Sequence, residues 1–165
     1  DIDSRKEMML ASCYAGIAFS NASTNLAHAA GRALGARFHI PHGLSVALLM
    51  PFVMEFSLDS CQEHFAEIAL ALGAPPSLSK EKLTLYPISS LEEFNEKFGV
   101  WHDGLKYIDT QKLNAEIPIL VNDALSGNGI ATNRRVPTEQ DIRNVFHLLA
   151  EKLSNQNSQA VSEIK

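Results

Sequence analysis

The sequence predicts an all-α domain of about seven helices, and three observations carry that expectation. Helix-start signals recur along the chain, each followed by apolar residues at helical spacing. Glycine or proline closes most of these segments. No run alternates with period two for more than a few residues, and the β-branched residues are scattered.

In chain order, Ser4 and Glu7 are spaced as a capping box for a first helix, with Met8, Met9, Ser12, Ala15, Gly16 and Phe19 on one stripe. Helical pattern then resumes through His28, with breaks expected at Gly35 and Pro41, and an apolar helix follows. Ser60 with Glu63 predicts a helix over Cys61 to Leu72, stopped by Gly73 before Pro75 and Pro76. The stretch from Pro75 to Ser90 reads as irregular. Ser90 with Glu93 predicts Leu91 to Phe98, ended by Gly99. Asp109 or Thr110 opens a segment towards Leu125, interrupted at Pro118 and closed by the Ser126-Gly127-Asn128-Gly129 turn. Thr138 with Asp141 starts the last helix, whose stripe is Ile142, Val145, Phe146, Leu149 and Leu153. Residues 1–154 are therefore expected to form one helical domain, and 155–165 a polar, frayed tail. There is no internal repeat or low-complexity block.

Composition narrows the function classes. A chain of 165 residues with 45% hydrophobic content is long enough to bury about 70% of its unfolded surface without a disulfide or structural metal. Two cysteines, Cys13 and Cys61, outside any Cys-x-x-Cys spacing, predict core thiols and a cytoplasmic setting. The net charge of −5 without a basic cluster argues against nucleic-acid and anionic-membrane partners. Apolar runs such as Gly43 to Met54 fall short of a membrane span. A helix begins almost at once, with no initiator methionine or leading strand, so the chain reads as a piece of something longer.

The chemistry concentrates in Asn25 to Gly43, NLAHAAGRALGARFHIPHG. Histidine is the commonest metal ligand and the readiest proton carrier near neutral pH. The breaks put His28 and His42 on two separate elements whose ends meet, which is how a site is made. Taken alone, His28 is equally a hydrogen-bonded helix histidine, and His42, between Pro41 and Gly43, is either a ligand or a cap. His39, in the loop between them, is either a supporting partner or an ordinary exposed histidine. His64 and His147 fall on amphipathic helices as boundary or solvated side chains, and His102 beside Trp101 suggests a local stacking pair.

Ala18 to Phe56, AFSNASTNLAHAAGRALGARFHIPHGLSVALLMPFVMEF, resembles the metal-binding signature of the iron-containing (group III) alcohol dehydrogenases. The match rests on the His-x13-His spacing, the Ile-Pro-His-Gly turn and the apolar helix with Pro51 inside it. Glu116 to Ile142 is similar to the family's closing helices with their Asn-Pro-Arg turn, here with Arg134 in place of the proline. Pro75 to Tyr107 shows no clear family pattern.

The resemblance implies the all-helical, dehydroquinate synthase-like C-terminal domain of a two-domain enzyme, with NAD or NADP bound mainly by an N-terminal domain that this sequence does not contain. It implies Fe²⁺ or Zn²⁺ held by one Asp and three His, of which His28 and His42 would be two. The Asp-x-x-x-His that would supply the others is not in this sequence. A metal there polarises the oxygen of a small alcohol or aldehyde during hydride transfer. Phe19 matches a position lining the substrate and nicotinamide cleft, and packing on the first helix is an equal reading. Arg32 stands where many members carry a second histidine; an arginine stays protonated, so it would hold an anionic group rather than relay protons, or simply lie on the surface. The parent is expected to be a homo-oligomer. Since a complete zinc site is worth roughly 10–16 kcal/mol, a chain with half the ligands is expected to be inactive alone. The competing expectation is a stand-alone helical binding module that has kept the fold and lost the activity.

Overall fold

The computed structural model describes residues 1–163, and the side chains of residues 1–158. Among the described residues there are eight α-helices, one 3₁₀ turn and no strand. They are α1 (Ile2–Ala22), α2 (Leu26–Phe38), α3 (His42–Ser57) with the 3₁₀ turn Leu58–Ser60, α4 (Gln62–Ala71), α5 (Lys80–Lys97), α6 (Val100–Leu105), α7 (Thr110–Leu125) and α8 (Glu139–Glu163).

The apolar α3 is the hub, packing on α2, α5, α6 and α8, while α7 closes the bundle against α2 and α8. Leu48, Leu49, Phe52 and Val53 carry α3 into the core beside Leu26, Leu34, Leu120 and Trp101. The α8 stripe meets them as expected, with Ile142, Val145, Phe146, Leu149 and Leu153 all buried. Together with the following turn, His42–Ser60 is long and apolar enough to cross a membrane by length and composition, which corrects the expectation that this run falls short. Its apolarity is used in this core.

Proline explains the largest departures. Pro51 lies inside α3, as its helix was expected to hold it, but Pro118 does not interrupt α7, and Pro87, in the stretch expected to be irregular, lies inside α5. A helical proline has no N–H for the carbonyl four residues back. At Pro51 that carbonyl belongs to Ala47, and the amide of the buried Asn95, on α5, donates to it at 3.1 Å. The region expected to be irregular is therefore mostly α5, started by Ser79, whose hydroxyl accepts the Lys82 N–H. Likewise Gly35 does not break α2, which runs on to Phe38.

The first helix has no buried residue, so its stripe joins no core among the described residues, and Cys13 is exposed rather than in the core; Cys61 is buried. Asp1, not Ser4, caps it. The predicted Ser60 box does not form, since the 3₁₀ turn displaces it. Trp101 turns inward towards Phe52, with ring centroids 6.1 Å apart, and leaves His102 exposed without the expected stack. Helix α8 continues past Ser154 to Glu163, and Gln156 donates to Glu96 at 2.8 Å; residues 164 and 165 of the predicted tail lie outside the described residues.

The Thr138 box does form. Its hydroxyl accepts the Asp141 N–H at 3.2 Å, and its own N–H donates to the Asp141 carboxylate at 2.8 Å. The Thr138 hydroxyl first, and its N–H second, hold the Asp141 carboxyl below its ordinary value. A carboxyl depressed in the folded state contributes stability that is present above its unfolded pKa and lost as pH falls through the folded one. Thr138→Ala is expected to cost about 1 kcal/mol near pH 7 and less once acid has protonated Asp141. Urea denaturation of both chains at pH 7 and near pH 3 measures the difference.

Candidate metal centre

The site is built where α2 and α3 cross. Asn25 caps α2, its side-chain oxygen accepting the Ala27 N–H at 3.1 Å, and places His28 in the first turn. At the far end the chain reverses through His39, which takes the left-handed conformation with φ 55°. Pro41, with φ −52°, then leads into α3, whose first residue is His42. Gly31 lets the two helices approach: a Cβ there would lie 3.0 Å from Val46 Cγ2.

The two sequence-predicted ligands are thereby brought together. The His28 and His42 rings meet edge to face with centroids 5.1 Å apart. His28 is half-buried and His42 exposed. Burial first, and the neighbouring His42 second, push the His28 imidazole below its ordinary pKa, which favours the neutral form that coordinates metal. The chemistry of the pair fits two imidazole positions of a divalent-metal site. Among the described residues no third His, Cys, Asp or Glu joins them.

A cleft of about 500 Å³ opens on the His28 side, lined by Phe19, Met50, Cys61, His64, Asn133 and Arg134 among others. A second groove runs past His42 and includes Arg32, Asp123 and Gly127. The predicted cleft residues are thus divided: Phe19 faces the His28 cleft and Arg32 the His42 groove. His39 lines neither; its side chain is exposed and its role is in the turn.

No local pattern in the sequence marks Asn133 as part of the site. It is only 5% exposed, yet all its bonding groups are used. Its carbonyl accepts the Leu26 N–H at 3.1 Å, and its amide donates to Ser57 Oγ at 3.0 Å and to the Arg135 carbonyl at 2.8 Å. The Thr132 hydroxyl adds a bond to the Thr24 carbonyl at 2.6 Å. Gly129, at φ 106°, lies so close to the Asn25 carbonyl that no Cβ would fit. The segment after α7 therefore clasps the start of α2, in the helical turn that carries His28. The Asn-x-Arg pattern was the available signal, but the partners lie too far off in sequence to be read from it.

Fold and geometry define an all-helical domain that presents two convergent imidazoles beside an apolar cleft. The chain belongs to the iron-containing alcohol dehydrogenase family: the family description "Fe-containing alcohol dehydrogenase family, C-terminal" matches residues 1–150. It is 34% identical to a probable alcohol dehydrogenase, EutG, of Escherichia coli (strain K12), over 88% of this chain and 35% of that protein. An NADPH-dependent butanol dehydrogenase of Clostridium saccharobutylicum is 29% identical over 88% of this chain and 38% of its own length. The crystal structure of a 1,3-propanediol oxidoreductase superposes with a TM-score of 0.81 at 27% identity, over 90% of this chain and 38% of that one. This chain spans little more than a third of the length of these relatives.

Proposed function

We propose that this chain is the metal-binding part of an NAD(P)-dependent enzyme that interconverts a small alcohol and its aldehyde or ketone. The observation that carries the proposal is the meeting of His28 and His42 at 5.1 Å in a chain of this family. His28 and His42 hold Fe²⁺ or Zn²⁺ with ligands from outside the chain. When bound, the ion supplies Lewis-acid polarisation of the substrate oxygen.

The chain's own residues do the positioning. His28, kept neutral by burial, keeps a lone pair free for the ion at a pH where an ordinary histidine begins to protonate. Phe19 walls the cleft and keeps water from the reacting carbon. Arg32, in the His42 groove, holds an anionic group of cofactor or substrate. His39 supports the site by setting the turn that brings His42 back to His28. NAD or NADP is bound mainly by a nucleotide-binding domain outside this chain, and the setting is cytoplasmic, consistent with two unpaired cysteines.

The intact protein carrying this chain is expected to reduce NAD(P) in the presence of a small primary alcohol. A chelator is expected to abolish that turnover, and Fe²⁺ or Zn²⁺ to restore it. Turnover that survives complete metal removal would overturn the reading. The 165-residue chain alone is expected to be inactive; measurable turnover by it with added metal and cofactor would refute that part.

A further inference from the structure

Arg134 puts a charge in the His28 cleft that the proposed alcohol chemistry does not use. Its neighbour Arg135 is already committed, with Cζ 4.3 Å from the Phe56 ring centroid and the guanidinium 3.5 Å from Asp141. Arg134 has no carboxylate within ion-pair distance among the described residues. Its guanidinium lies 3.5 Å from His64 Nε2 instead and lines the cleft with Phe19 and His28. Among the described residues, none lining that cleft is acidic, and Arg134 is the only lining side chain that stays charged through the neutral range.

Much of the surrounding wall is apolar, with Phe19, Met50, Val53 and Phe65. An unneutralised guanidinium fork beside such a wall attracts an anion and binds a carboxylate through two parallel hydrogen bonds. An uncharged alcohol gains at most a single, weaker hydrogen bond from it.

We propose that Arg134, supported by His64, forms an anion-recognising subsite that selects substrates with a carboxylate remote from the carbinol carbon: hydroxy acids and the corresponding aldehyde acids. This rests on the reading that the alcohol reacts at the His28–His42 pair. The shared chemistry of carboxylate and phosphate makes a cofactor phosphate the competing occupant.

The test compares 3-hydroxypropanoate, 4-hydroxybutanoate and 5-hydroxypentanoate with the uncharged primary alcohols of the same chain lengths, using the intact protein. At least one hydroxy acid is expected to exceed its alcohol in kcat/KM by about tenfold or more, the worth of one charge-assisted contact. Arg134→Ala is expected to erase that preference, chiefly through KM, with turnover of the plain alcohol kept within about twofold, and Arg134→Lys to restore part of it. Equal loss on both substrate types, or a rise confined to the KM of NAD(P), would overturn the proposal. Binding of 4-hydroxybutanoate, followed by NMR of the histidine rings, decides the matter if no alcohol is turned over. A saturable shift at His64 that Arg134→Ala removes would support the subsite while the dehydrogenase reading fails; no shift in either protein would reject it.

Discussion

Replacing His42 with alanine in the intact protein is expected to remove most of its bound metal and its alcohol-dependent NAD(P) reduction, while the fold stands. His42 is the first residue of α3, its side chain is exposed, and no side-chain bond caps that helix end. Its loss therefore leaves core packing intact, and the stability change should stay within about 0.5 kcal/mol. Metal binding is another matter. Even groups that merely support metal ligands are worth about 10–100-fold in affinity, so loss of a ligand should exceed the upper end of that range. Metal content after dialysis, turnover and thermal unfolding of the metal-free protein separate the two effects. Full metal content with undiminished turnover would show that the pair is structural.

His28 adds a pH dependence to the same experiment. Its pKa is lowered in the folded protein, by burial first and by His42 second. As the pH falls through the ordinary histidine range the unfolded chain takes up the proton first, so the metal-free fold loses stability on the acid side and regains it above that range. In the His42→Ala protein the second cause is gone, and the His28 resonance should titrate at higher pH than in the unaltered chain. An unchanged titration midpoint would mean that the rings do not interact as their 5.1 Å separation implies.

Local signals were the legible ones. Pro41 placed His42 at a helix start because a proline fixes its own φ and suits the residue before a helix. The Asp109 cap and the Thr138 box form as read, since each involves groups three residues apart. Pro118 and the stretch around Pro87 are helical against expectation, because what carries a helix through a proline need not be local: at Pro51, where a continuous helix was expected, the freed Ala47 carbonyl is taken by Asn95, which no nearby pattern points to. Gly35 was misread for a related reason. It sits mid-helix against the Ile40 carbonyl and Ser45 Oγ, where a Cβ would come within 3.2 and 3.3 Å, so its smallness serves packing rather than a break. Periodicity likewise gave α1 an apolar stripe without saying what it packs on, and the described residues leave Met8, Met9 and Phe19 exposed. The candidate site followed the same rule. His28 and His42 were found because they are close in sequence, whereas the Asn133 clasp joins residues 107 apart.

That clasp makes Asn133→Leu strongly destabilising although Asn133 lies outside the apolar core. Leucine keeps the branching of asparagine and leaves no cavity, while its greater bulk adds a packing cost to the loss of hydrogen bonds. What it removes is all three hydrogen bonds, leaving the Leu26 N–H at the start of α2 without its acceptor in a site that excludes water, and freeing the Arg135 carbonyl and Ser57 Oγ. Each buried polar group left unpaired costs about 1–3 kcal/mol, and partial relaxation of the exposed Arg135 end should hold the total near 3–4 kcal/mol. Asn133→Asp separates the two halves of the clasp, because a carboxylate still accepts from Leu26 but no longer donates to Ser57 and Arg135; its cost should be intermediate. Denaturant unfolding of the metal-free proteins gives both numbers. His28 lies two residues beyond Leu26 in the same helical turn, so the Leu variant should also bind metal more weakly than its remaining folded fraction accounts for. A loss below about 1 kcal/mol, typical of an ordinary surface substitution, would mean that the bonds of Asn133 do not anchor the helix that carries the site.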